Sequence, residues 1–175
     1  EDQSNAQVAY LTAGEWAVKV GLGYFRVVTE YENETSSNQK ICLKRIPNAF
    51  NVYLGPHDMP DGSDSEYGFL FEDMQIEDFK RQYPGKKVAK EDFDDTGDAL
   101  SWRQENTIRV CEYFYADYEK LPQTELEDGS KRAVSKRTIK WCKFTGAEII
   151  EKRDWMGKYV PIIEVVGRES FVKGK

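Results

Sequence analysis

The sequence predicts an α+β fold, a mostly antiparallel sheet with an N-terminal helix and a short middle helix. Three observations predict it. Apolar residues recur at helical spacing near the N-terminus, and strand-like runs rich in β-branched and aromatic residues follow through the rest of the chain. Clusters of glycine, proline and aspartate separate those runs as turns do.

Residues 4–20 favour a helix that Ser4 or Asn5 can cap, with Val8, Ala9, Leu11, Ala13, Trp16 and Val20 as a broad apolar face. Gly21 and Gly23 are expected to end it. Residues 24–31 and 40–46 read as an antiparallel hairpin joined by a polar loop. Pro47 breaks the second strand, and a short apolar segment, 50–54, leads into a loop dense in turn formers, GPHDMPDGSDS at 55–65. A short strand follows at 67–71. Ile76, Phe79 and Tyr83 then fit a two-turn amphipathic helix stopped by Pro84 and Gly85. Residues 86–97 read as a charged surface connection.

Residues 107–118 (TIRVCEYFYADY) are the longest strand candidate. Ile108, Val110 and Phe114 face one way and Cys111, Tyr113 and Tyr115 the other, so both faces are covered and the strand is central. Residues 119–135 are expected to form a long polar loop, with Pro122, Asp128 and Gly129 as turn signals. A strand at 136–144 then pairs with 147–152 across a tight turn at Thr145 and Gly146. A strand at 159–166 closes the fold, with Pro161 at its start or edge. Trp141, Trp155, Tyr159 and Ile162 are the expected packing residues of this last third.

Composition narrows the function. The chain has 175 residues, 39% of them hydrophobic and 32% charged, enough for one domain with a real core. A formal net charge of −6 argues against a sequence-reading DNA binder, which needs a basic face for phosphates. No segment approaches the ~20 apolar residues of a membrane helix. The chain starts at Glu1 without methionine or a signal-like region and ends abruptly at Lys175, so it is expected to be a piece of a longer protein.

Cys42, Cys111 and Cys142 are odd in number and far apart, without a Cys-x-x-Cys and with a single histidine, His57. They read as small hydrophobes in strands within a reducing compartment, not as a disulfide framework or zinc site. The sequon at 33–35 is taken as chance.

Candidate chemistry is sparse. Asp58, Asp61, Asp64 and Glu66 surround Gly62, and oxygen-rich loops with a central glycine can hold calcium. Their spacing is not that of the twelve-residue calcium loop and Pro60 interrupts it, so a solvated acidic turn is preferred. A small-molecule or calcium-binding module built on residues 55–66 stays as the alternative function. His57 has no second histidine or nucleophile at useful spacing. Asp92, Asp94, Asp95 and Asp98 lie in a charged run without the shaped pocket that paired-carboxylate chemistry requires.

Gly21 and Gly23 form a GxG that follows a helix and lacks the third glycine of a dinucleotide loop. Lys131, Arg132, Lys136, Arg137 and Lys140 can touch phosphates, but Glu125, Glu127 and Asp128 lie just upstream, and a mixed-charge face toward a neighbouring subunit fits as well. Tyr113, Phe114, Tyr115 and Tyr118 are flanked by Glu112, Asp117 and Glu119, which favours packing over base stacking. No catalytic, cofactor-binding or metal residue is assigned, no cofactor is expected, and the chain is read as no enzyme.

Several segments, in order, resemble the portal proteins of short-tailed bacteriophages and related prophages. Residues 17–31 (AVKVGLGYFRVVTEY) resemble that family's helix, glycine turn and strand entering the wing. Residues 46–54 followed by 61–71 resemble its arginine-proline segment and aspartate-rich loop, and IEDFKRQYP at 76–84 its helix closed by tyrosine-proline. Residues 107–115 followed by 140–150 resemble its long strand and hairpin. WMGKYVPIIEVVG at 155–167 resembles its tryptophan-glycine-tyrosine-proline signature.

The likeness runs from about Ala13 onward. It implies that residues 1–175 form a single wing-like domain, a fragment of a longer chain in a ring of usually twelve subunits at one capsid vertex. Such a ring meets capsid, terminase and tail proteins. Duplex DNA is packaged and ejected through it without sequence-specific binding. The protein would reside in the virion, and in the host cytoplasm during assembly, with no membrane association.

Overall fold

A computed structural model describes residues 5–33, 35–88, 102–103, 105–125 and 131–168, with backbone only at 123–125 and 131–134. Its elements in order are α1 (Ala6–Val20), β1 (Leu22–Tyr31), β2 (Gln39–Arg45), a 3-10 turn (Ala49–Asn51), β3 (Val52–Leu54), β4 (Tyr67–Gln75), α2 (Ile76–Gln82), β5 (Thr107–Glu125), β6 (Lys131–Phe144), β7 (Ile149–Trp155) and β8 (Ile162–Val166). The fold class is the α+β, mostly antiparallel architecture that the sequence predicts. No helix among the described residues is long and apolar enough to cross a membrane. The chain divides into two compact units, residues 1–68 with 159–175, and residues 69–158.

In the first unit β1 is the middle strand of a three-stranded sheet ordered β2-β1-β8. Its ladder with β2 runs from Phe25↔Arg45 to Tyr31↔Gln39, closed by Glu32 N–H donating to Asn38 O at 3.0 Å. Its ladder with β8 runs from Leu22↔Val166 to Arg26↔Ile162. Pro161 sits just before β8, and its carbonyl accepts from Val27 N–H at 2.9 Å. A proline suits that place because its missing N–H breaks no rung.

Helix α1 lies across this sheet. Its buried face is Ala6, Ala9, Ala13 and Ala17, while Leu11 and Val18 are 69% and 87% exposed. Ala9 and Ala13 lie on the face that the sequence predicts, but its larger members Val8, Leu11 and Val20 are exposed, which corrects that part of the expectation. The physical reason is close approach. A Cβ on Gly23 would overlap the carbonyl oxygen of Ala13, and one on Gly167 that of Ala17. Only small residues on both sides let the two backbones come that near. Gly23 therefore serves packing inside β1, whereas Gly21 ends the helix as expected, at φ 94° with its N–H donating to Ala17 O at 3.0 Å. The expected cap is also corrected. Asn5 takes the N-cap position in a left-handed conformation and its side chain caps no N–H, while Ser4 lies outside the described residues.

In the second unit β4, β5, β6 and β7 are neighbours in that order. Strand β5 is central, as its two covered faces require. Helix α2 forms where the spacing of Ile76, Phe79 and Tyr83 places it, with Gly85 at φ 83° just beyond. Phe79, Ile108 and Val110 are the buried centre of a cluster with Met74, Ile76, Tyr83, Val88 and Ile150 packed around them. Phe114, Ile139 and Trp141 continue the buried surface along the sheet.

The loop expected at 119–135 is corrected. Strands β5 and β6 continue through it, pairing Glu119↔Lys136, Leu121↔Val134 and Glu125↔Lys131, and only 126–130 fall outside the described residues. Polar residues support such a ladder because the bonds are backbone bonds and no apolar face is needed to form them. Pro122 is accommodated by a register shift between Leu121 and Thr124, where two residues of β5 face one of β6.

The β6–β7 turn is longer than expected. Thr145 N–H donates to Glu148 O at 3.0 Å, and β7 begins at Ile149. Gly146 has no positive φ, but a Cβ there would meet the Trp102 ring at 2.5 Å. Of the expected packing residues, Trp141 and Ile162 are buried and Trp155 is half-buried against Phe114, with ring centroids at 5.4 Å. Tyr159 is corrected to exposed, at 50%.

Candidate functional site

The acidic loop belongs to the first unit and is built on its own backbone. Asp64 accepts from the N–H groups of Asp58 and Met59 at 2.8 and 3.1 Å, and Asp61 accepts from Ser63 N–H at 3.0 Å. These bonds hold both carboxyls below the usual carboxylate range, through the Ser63 backbone and side chain for Asp61 and chiefly the Asp58 N–H for Asp64. Gly62 turns between them at φ 69°. Asp61 and Asp64 thus shape the turn through bonds to its own backbone. Among the described residues no group of three or more His, Cys, Asp or Glu converges on a metal position.

His57 is half-buried and structurally engaged. Its Nδ1 lies 2.8 Å from the carbonyl oxygen of Gly55, which can only accept, so Nδ1 donates. Its Nε2 faces the Glu164 carboxylate at 3.6 Å. Glu164 also bonds the Tyr24 hydroxyl, and burial together with that negative charge pushes the Tyr24 phenol up to about 12. The Glu164 N–H donates to Asp61 O at 3.2 Å, so the loop is fastened to β8 by main chain and side chain together. The sequence signal for this fastening was an acid inside the apolar run YVPIIEVVG, and Tyr24 and Glu164 were not singled out from it.

A second polar cluster crosses the buried face of the sheet in the other unit. Lys143 donates to the Tyr83 hydroxyl at 3.2 Å and lies 3.5 Å from Glu112, which accepts from the Trp141 indole at 3.0 Å. Arg153 stacks over the Trp141 ring at 4.4 Å. Burial alone would depress the Lys143 ammonium, yet the Glu112 charge and the Tyr83 hydroxyl together hold it above its ordinary value. The sequence signal here was a pair of charges set among apolar neighbours, Glu112 between Cys111 and Tyr113 and Lys143 between Cys142 and Phe144. Arg109 and Asp73 form a two-pronged ion pair at 2.7 and 2.8 Å between β5 and β4. These groups bind the framework to itself.

The remaining candidates disperse. Lys140 pairs with Asp117 at 2.5 Å, holding that carboxyl below its ordinary value, and Arg137 donates to Lys158 O at 3.2 Å. Lys136 is exposed, and Lys131 and Arg132 are placed on β6 by backbone alone. Tyr113 and Tyr115 stack in a ladder with Phe69, at 4.4 Å for Phe69–Tyr113 and 5.0 Å for Tyr113–Tyr115. Phe114 is buried and Tyr118 is 49% exposed. All three cysteines are buried and free, and burial pushes the Cys111 thiol up to about 12. Asp92, Asp94, Asp95 and Asp98 lie outside the described residues.

Among the described residues these polar groups fasten strands and loops to one another. A family model described as phage P22-like portal protein matches residues 1–175, the whole of this sequence. This chain belongs to that portal protein family and has its structural role in the phage particle.

Proposed function

We propose that the chain is framework of a portal ring, mainly its wing, within a longer portal protein. The ring is a dodecamer at one capsid vertex, joined to capsid, terminase and tail proteins. Duplex DNA passes through its channel during packaging and ejection. It assembles in the host cytoplasm and ends in the virion.

The observation that carries this reading is the family match over residues 1–175. The charge supports it. A net charge of −6 repels phosphates at short range, so a duplex is not held in a tight electrostatic well as it slides past. The fastened polar clusters support it too, since a ring under load needs stiffness more than reactive groups. Electron microscopy of the full-length protein tests it. A ring with a central pore is expected, and any other particle sinks the proposal.

A further inference from the structure

The ribbon of β5 and β6 outruns its neighbours. Strand β4 flanks β5 where Asp73 meets Arg109 and Phe69 meets Tyr113, and β4 begins at Tyr67. Strand β7 flanks β6 only from Ile139 onward, at the rung Ile139↔Trp155. Past Ala116↔Ile139 the two strands go on to Glu125↔Lys131 with no third strand beside either among the described residues. At ~3.4 Å per residue that arm is about 25 Å long. A two-stranded ribbon alone is marginal in water, and its outer edges present backbone N–H and C=O groups ready for another strand.

The edges differ in charge. Asp117, Glu119 and one cation, Lys120, lie on β5, while Lys136, Arg137 and Lys140 lie on β6, so the β5 side is negative and the β6 side positive. Asp117 and Lys140 satisfy each other, and Arg137 donates to a carbonyl. Glu119 and Lys136 are both exposed and face each other across the ladder, yet neither forms an ion pair with a described residue. One edge thus offers an unused anion and the other an unused cation. That polarity suits identical copies joined head to tail, which is how a ring closes.

We propose that the arm pairs neighbouring copies of this chain, the β5 edge of one adding to the β6 edge of the next, with Glu119 facing Lys136 across the junction. This rests on the portal-ring reading. The test uses the full-length protein, with sedimentation velocity and electron microscopy on wild type, Glu119→Lys, Lys136→Glu and an equal mixture of the two variants. Each single variant places like charges at every junction and is expected to need about tenfold more protein to assemble.

The mixture is expected to assemble like wild type, by alternating the two chains. It is the discriminating sample, because each variant still carries like charges within its own ribbon and only the junction is repaired. Variants that assemble as wild type overturn the inference, and so does a mixture that fails as its components do. A wild type that never forms a ring overturns the portal-ring reading itself and the inference with it.

Discussion

The two units hold sheets together with side chains of opposite size. In the first, alanines of α1 meet glycines, and backbone almost touches backbone. In the second, Phe79, Ile108, Ile139 and Trp141 fill the space between elements. The difference teaches where each tolerates change. A contact between backbones has no room to grow, while a contact between rings leaves a void when trimmed.

The sharpest way to break the comparison is Phe79→Ala, which removes a side chain that is 0% exposed. It is expected to cost about 3–5 kcal/mol, read from the denaturant midpoint at constant slope. A loss under about 1 kcal/mol would mean that the second unit does not depend on large core residues.

Next comes the opposite change, Gly23→Ala. One added carbon at the Ala13 carbonyl is expected to cost up to about 3 kcal/mol. Gly14→Ala is its control, because nothing lies within 4 Å of a Cβ there. That substitution should stabilise by about 0.8–1 kcal/mol through helix propensity alone. If the two glycines respond alike in thermal melts, close approach is not what selects glycine at position 23.

Lys143→Met comes third. It removes the Lys143 ammonium from beside Glu112, whose side chain is only 15% exposed, for an expected loss of about 2 kcal/mol. Adding Glu112→Gln should recover part of that loss, and a double variant no better than the single one would deny the coupling.

The smallest effect concerns acid. Asp61 and Asp64 have depressed folded values, so their contribution is in place above the ordinary carboxylate pKa of about 3.9 and is lost as pH falls through it toward the folded values. Hydrogen exchange of residues 58–65 should therefore speed up below about pH 4 relative to the β5 amides. In Asp64→Asn that acceleration should shrink. An identical acid response in the variant would rule out the linkage.

What was legible in the sequence was whatever neighbouring residues decide. The alternation along β5 placed Ile108, Val110 and Phe114 on one buried face, and the spacing of Phe79 and Tyr83 located α2. What was hidden depends on residues far apart. The inner face of α1 is chosen by Gly23 and Gly167, the latter distant in sequence, so the weight given to Leu11 and Val20 pointed the wrong way. The arm was hidden because main-chain pairing leaves no apolar pattern. Residues 137–167 look continuous in sequence, yet the chain passes from one unit to the other between Lys158 and Tyr159. The fastening of His57 by Glu164 was out of reach for the same reason, since the two are brought together by the fold.

Pro122 gives the arm one more property. A bare strand edge is a hazard before assembly, when free chains can stack into fibrils without limit. Proline offers no N–H to an incoming strand, and the shift in register beside it twists the ribbon away from flatness. Pro122 thus interrupts the row of N–H groups that the β5 edge would offer to unlimited strand addition. A free subunit is thereby kept from seeding aggregates.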